Sequence, residues 1–260
     1  MDAFRHNLAL FRQLLRREIR SRFIGSATGW IWLIVTPLLL LAVYGFVFGV
    51  IFQARAPADM AVPFIAWLAV ALWPWLAFSE GVLKGSQAIL QNSALISKVS
   101  LPRALLVISS VSSVFFLHLI GYLVILIAVQ LLAADIAWHA LPNLTLTLFS
   151  LYLLALGLGL MFAAVQVYLR DLEHFLPTFF MLWFFLTPIL YAPEILPGDL
   201  GRYLAFNPMT WWMEEIRQGV LLGQWWPGTV QILLLVASLV VLWLGLRLFD
   251  RLSPHFEDFL

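Results

Sequence analysis

Six arginines, Arg5, Arg12, Arg16, Arg17, Arg20 and Arg22, crowd the first 22 residues, in a segment containing the run LLRREIRSRF. A guanidinium is planar, always charged and able to bond two phosphate oxygens at once. Arginines at this density can therefore do two things: bind phosphate, or hold one side of a membrane segment in the cytoplasm. Phe4, Leu8, Phe11, Leu15 and Ile19 recur at spacings of three or four, with Arg5, Arg12, Arg16 and Arg20 on a neighbouring face. The pattern predicts an amphipathic helix over 4–23, either lying in the membrane interface with arginines reaching lipid phosphates or solvated and serving topology alone.

Other chemistry is scarce. The G-x-x-x-x-G-K-[ST] phosphate loop is absent, and Gly-Lys occurs nowhere in the chain. Neither HExxH nor a G-x-S-x-G elbow is present. With no cysteine, disulfides, thiolate metal sites and a cysteine nucleophile are excluded. Glu80, His118 and His174 are scattered, which leaves an intramembrane enzyme acting on a lipid-linked sugar as a weak alternative. His118 falls inside an apolar run, where it is either functional or hydrogen-bonded to a neighbouring helix. Asn143-Leu144-Thr145 matches a glycosylation sequon, a pattern frequent by chance.

These residues are carried by a chain that is 63% hydrophobic and 11% charged, with a mean hydropathy of +0.95. Soluble domains are about 25% charged, so the reading is an all-α integral membrane protein forming a single transmembrane domain over 1–260. Residues 30–52 run uncharged for 23 residues, enough to cross a bilayer core of about 30 Å. A cleaved signal peptide fits poorly, because its apolar region is usually about 7–15 residues long. Pro37 sits in this span, and Gly45 and Gly49 form a GxxxG pair able to admit another helix closely. Further spans are expected at 63–83, within the uncharged stretches 104–134 and 136–169, at 175–191 and at 229–246. That makes six transmembrane helices.

Between the second and third spans, 84–103 is polar, with apolar residues interleaved as in a short surface helix. Between the fifth and sixth, 193–223 is rich in aromatics and proline. There Asn207-Pro208 reads as a helix start and Gly223 as its stop, bounding a helix too short and too charged to span. Such helices are tolerated at membrane depth only where protein or water covers their ends, so short re-entrant helices are expected. Twelve basic residues fall on the side of the N-terminus and three, Arg55, Arg202 and Arg217, on the other. Both termini are therefore expected in the cytoplasm. No internal repeat and no Asp, Glu, Lys or Arg at a span centre is apparent, which argues against secondary and ion transport. The 12 Trp, 21 Phe and 6 Tyr serve as interface belts or, where dense, as apolar faces for sugar rings.

Three blocks resemble the membrane subunit of ABC-2-type polysaccharide exporters, the O-antigen, capsule and teichoic acid group. They are REIRSRFIGSATGWIWLIVTPLLLLAVYGFVF, NSALISKVSLPRALL, and VYLRDLEHFLPTFFMLWFFLTPILYAPEILP followed by FNPMTWWMEEIRQGVLLG. The tail FDRLSPHFEDFL also fits, so the similarity covers essentially the whole chain.

This resemblance implies a homodimer in the bacterial inner membrane, each copy bound to a separate cytoplasmic ATP-binding subunit. The chain itself is then no enzyme and binds no cofactor; ATP and magnesium belong to the partner. It implies an ATPase contact within 84–103, for which Gln91, Asn92, Ser93, Lys98 and Arg103 are candidates. Arg20 and Arg22 are candidate contacts for a lipid pyrophosphate. Tyr44, Phe48, Phe179, Trp183, Tyr191, Trp211 and Trp212 are candidates for the path of a lipid-linked polysaccharide, O-antigen foremost. A drug or small-lipid exporter of the same architecture is the alternative. Membrane lipids are the remaining partner, and nucleic acid is not one.

Overall fold

The computed structural model describes residues 2–22, 31–57, 60, 62–98, 101–198 and 200–259. Expectations resting on Phe23, Trp30 or Ala61 lie outside the described residues, as does the side chain of Phe4. All regular structure among the described residues is helical. In order the helices are α1 (Asp2–Ser21), α2 (Trp32–Tyr44), α3 (Phe64–Gln91), α4 (Ser93–Ile96), α5 (Ala104–Leu132), α6 (Leu141–Gln166), α7 (Leu172–Leu186), α8 (Leu200–Tyr203), α9 (Pro208–Leu222) and α10 (Thr229–Leu252), with short 3₁₀ turns between. In hydrocarbon no water is available to the backbone, so each apolar run must satisfy its own amides, and a helix does that locally.

Five helical segments are long and apolar enough to cross a membrane: Trp32–Ile51, Phe64–Gln91, Ala104–Leu132, Trp138–Gln166 and Thr229–Glu257. The sixth apolar helix, α7, has only 15 residues, or about 22 Å at 1.5 Å per residue. It starts earlier than expected and stops earlier, at Leu186. The cause is Pro188: the residue before a proline is pushed out of the helical region, and Thr187 is extended at φ −99°, ψ 133°.

α3 is the central element. It packs against α5, α6 and α9, and its flank from Ala66 to Phe78 is almost entirely buried. α10 lies along α6, with two glycines at their closest approach. A Cβ on Gly157 would sit 2.7 Å from the Leu242 amide nitrogen, and one on Gly245 would overlap the Gly157 carbonyl. Of the GxxxG pair in the first span, Gly45 faces the Ile65 side chain closely, whereas a Cβ on Gly49 would meet only Phe64 at 3.9 Å. This span also changes pitch: Gly45–Ile51 is π-helical. α1 packs on α5 and buries Leu14, while Leu8, on the expected apolar face, is exposed.

The stretch 84–103 departs from a separate surface helix. α3 runs unbroken to Gln91 because Gly85, Ser86, Ala88 and Ile89 continue its buried face. The chain then bends at Asn92 into the single turn α4. At the same end the C-terminal turn Ser253–Asp258 folds back under the bundle. Tyr168 donates to the Leu252 carbonyl at 2.9 Å, and Phe256 is fully buried. The opposite end is closed by α9, whose start and stop fall where expected. Asn207 Oδ1 accepts from the Met209 amide at 3.1 Å, and Gly223 ends the helix at φ +75°, a conformation that suits glycine.

Candidate functional site

At the end holding α4 and the C-terminal turn, two basic residues reach carboxylates or polar groups on other elements. Arg17 Nη2 donates to Asn92 Oδ1 and, at 3.0 Å, to Glu18, which joins α1 to the bend between α3 and α4. Asn92 Nδ2 donates to the Ala88 carbonyl at 2.8 Å, fixing that bend. Arg103 bonds the Ser253 carbonyl and Glu257, tying the start of α5 to the C-terminal turn. Of the five candidates for an ATPase contact, Asn92 and Arg103 are thus joints within the chain. Gln91 bonds its own helix through Gln87 at 2.9 Å. Ser93 lines a groove with Ala94, Ile96, Ser97 and Glu257, and Lys98 lines the next one, of about 590 Å³, with Arg103 and Asp250.

A second cluster lies deeper. Arg22 bonds Glu80, and the other oxygen of Glu80 lies 2.8 Å from His118 Nε2. Three elements therefore meet at one carboxylate: the end of α1, the middle of α3 and the middle of α5. The interaction between Glu80 and His118 accounts for the histidine as one hydrogen-bonded to a neighbouring helix. Its ring also packs on Trp73 at 5.6 Å, while Trp73 Nε1 donates to the His118 carbonyl at 2.9 Å. His118 Nδ1 is buried without a partner among the described residues. The cluster opens on a cavity of about 660 Å³. Arg22, Thr36, Ser79, Glu80, Lys84 and His118 supply its polar lining, and Trp32, Leu33, Pro37, Leu40, Leu76 and Leu117 much of its apolar wall. Arg20, by contrast, is exposed on the last turn of α1.

The seven aromatic candidates fall into separate groups. Tyr44 stacks on Phe48 at 6.0 Å along α2. Phe179 and Trp183 lie on α7, their rings 5.3 Å apart, and Trp183 meets Trp75 of α3 edge-on at 5.7 Å. Tyr191 donates to the Phe185 carbonyl at 3.0 Å, and Trp211, still exposed, donates to the Ala205 carbonyl at 3.0 Å. Trp212 is buried between α9 and α6, its indole donating to Ser150 at 2.9 Å. Within one chain α2 and α7 do not pack along each other, so these groups do not form a single lining.

Sequence reasoning missed two features. Arg217, counted among the outer charges, is 1% exposed. Its guanidinium stacks 3.5 Å from the Trp67 ring, while Nε donates to the Trp67 carbonyl at 3.2 Å and Nη2 to the Pro188 carbonyl at 2.9 Å. It clamps α9 to α3 and to the break after α7. Asn207 is more than a cap. Its Oδ1 also accepts from Trp183 Nε1 at 2.8 Å, and its Nδ2 donates to the Leu186 carbonyl at 3.0 Å and to Thr187 Oγ1 at 2.9 Å. The signal for Arg217 was its place on a helix of otherwise apolar spacing; nothing local pointed to its partners. No group of three metal-ligating side chains occurs among the described residues.

A bundle of apolar helices, with polar joints at one end and a capped short helix at the other, defines a multi-pass integral membrane protein. The family model for the ABC-2 type transporter matches residues 9–221, and the chain belongs to that family. It is 30% identical to the O-antigen export system permease protein RfbA of Myxococcus xanthus, over 96% of this chain and 94% of that protein. It is 25% identical to the protein of the same name from Klebsiella pneumoniae, over 98% of each. With the polysialic acid transport protein KpsM of Escherichia coli it shares 27% identity, over 91% of this chain and 90% of that one.

Proposed function

We propose that this chain is the membrane subunit of an ATP-driven exporter that moves lipid-linked polysaccharide, O-antigen, across the bacterial cytoplasmic membrane. The observation that carries the reading is end-to-end similarity to permeases named for O-antigen export, in a chain that has no phosphate loop for ATP. The chain works as a homodimer with a separate cytoplasmic ATP-binding subunit, which binds the ATP and magnesium. Both termini are cytoplasmic, as the bias of basic residues favours. α7 is then a short fifth crossing and α9 a re-entrant helix, with Arg217 and Asn207 satisfying the backbone at the break between them.

The working parts follow from this orientation. α4 and its grooves face the ATP-binding subunit, with Ser93 and Lys98 open to it. Arg17 carries movement of the bend before α4 to α1, and Arg103 carries movement of the start of α5 to the C-terminal turn. Arg20 and Arg22 receive the lipid pyrophosphate. The glycan passes between α2 of one copy and α7 of the other, over Tyr44, Phe48, Phe179 and Trp183. This path takes two copies, in keeping with α2 and α7 not packing along each other within one chain.

Deleting the chain tests this reading. The expected result is loss of surface O-antigen with lipid-linked glycan retained inside, and recovery on re-expression. Unchanged surface polysaccharide would overturn it.

A further inference from the structure

The cavity between α2, α3 and α5 has the two halves a lipid diphosphate requires. Arg22 and Lys84 supply fixed positive charge beside the His118 ring, and Trp32, Leu40 and Leu117 supply apolar wall. One residue works against anion binding there: Glu80 occupies Arg22 and also contacts His118. Among the described residues Glu80 is the sole carboxylate lining the cavity, and α3 is otherwise free of acidic residues. A carboxylate and a phosphate compete for the same guanidinium face.

We infer that Glu80 is an intramolecular competitor for Arg22, and that the headgroup of a polyisoprenyl diphosphate displaces it. Arg22 and Lys84 then hold the diphosphate, and Glu80 keeps His118 as its remaining partner. The apolar wall takes the first isoprene units. The exchange sets affinity low enough for release: the diphosphate gains Arg22 only by breaking an existing ion pair. It also couples the headgroup to the protein, because moving Arg22 off Glu80 loosens the end of α1 from α3 and α5. The inference rests on the reading given under Proposed function and extends it with Glu80, Lys84 and His118.

The test measures binding of fluorescent geranylgeranyl diphosphate to the full-length chain, co-purified with its ATP-binding subunit in phosphatidylcholine nanodiscs. Glu80→Gln is expected to tighten binding about tenfold and Arg22→Ala to weaken it about tenfold, the scale of one charge-assisted hydrogen bond. In the Arg22→Ala background, Glu80→Gln is expected to have no effect. Glu80→Asp, which keeps the charge but shortens the reach, shifts affinity the same way by less and stands in should Glu80→Gln fail to fold. Unchanged or weaker binding in both Glu80 variants overturns the inference, as does additivity with Arg22→Ala. So does equal binding of inorganic pyrophosphate, which would leave the apolar wall without a part, or equal competition by phosphatidylglycerol, which would mean a general anionic-lipid surface. Surface O-antigen in the deletion strain is read separately, so either claim can fail while the other stands.

Discussion

Arg217 offers the sharpest test of how this chain closes the end opposite α4. The residue is buried, carries a charge and among the described residues pairs with no carboxylate in direct contact; its partners there are the Trp67 ring and two carbonyls. Replacing it with methionine keeps most of the volume and removes the charge and both donors. Pro188 loses the donor to its carbonyl, at a cost of about 1–3 kcal/mol. Trp67 sits inside α3, where its carbonyl keeps a helical partner, so that loss is about 1–2 kcal/mol. A desolvated cation–π contact adds about 2 kcal/mol. Against these, the guanidinium's desolvation penalty of several kcal/mol disappears. The net expectation is a destabilisation of about 1–3 kcal/mol, concentrated at the contact of α9 with α3. Arg217→Lys keeps the charge but not the fork, and is expected to be at least as damaging. The assay is hydrogen exchange of α9 amides in nanodiscs, with thermal melting alongside. If Arg217→Met leaves both unchanged, the clamp does not hold α9 and the reasoning is refuted.

Other outcomes follow from the same geometry. Gly245→Leu places a side chain against the Gly157 backbone; overpacking of about 3 kcal/mol or more is expected, read as lost monodisperse yield on size exclusion, while the same change at Gly49 is expected to be tolerated. Asn207→Ala removes two donors and an acceptor serving α7 and α9 and is expected to cost about 2 kcal/mol, seen as a lower melting temperature. Asn207→Asp keeps the acceptor and is expected to fall between the two. Arg103→Ala frees Ser253–Asp258 from α5 and is expected to speed proteolysis of the C-terminal turn while leaving the bundle folded. Arg20→Ala combined with Arg22→Ala is expected to abolish surface polysaccharide; an unchanged surface would remove both residues from the headgroup's path.

What could be read ahead of the structure was local. Asn207-Pro208 and Gly223 marked α9 because a cap and a left-handed stop depend on a few neighbouring residues. The long spans were legible from their uncharged runs, since lipid demands length and apolarity whatever the tertiary contacts. The end of α3 was not: Lys84 and Gln87 read as the start of a surface segment, but Gly85, Ala88 and Ile89 keep packing on α5 and α6. The short α7 was misjudged because apolar residues continue past Pro188, which interrupts the helix without interrupting hydrophobicity. The pairs Arg22–Glu80 and Arg217–Trp67 join residues 58 and 150 positions apart, and no spacing rule reaches so far. A charge tally separated Arg217 from the basic residues near α4 and missed its burial, because topology counts charge and not solvation.

The account's central claim is directed, ATP-dependent movement of a lipid-linked glycan through this chain. The most direct measurement uses proteoliposomes containing the chain and its ATP-binding subunit, with a fluorescent lipid-linked glycan added to the face where ATP is supplied. The account predicts transfer to the opposite face that requires ATP, requires the chain and falls with Arg20→Ala plus Arg22→Ala. Transfer at the same rate without ATP, or none with every component present, would contradict it.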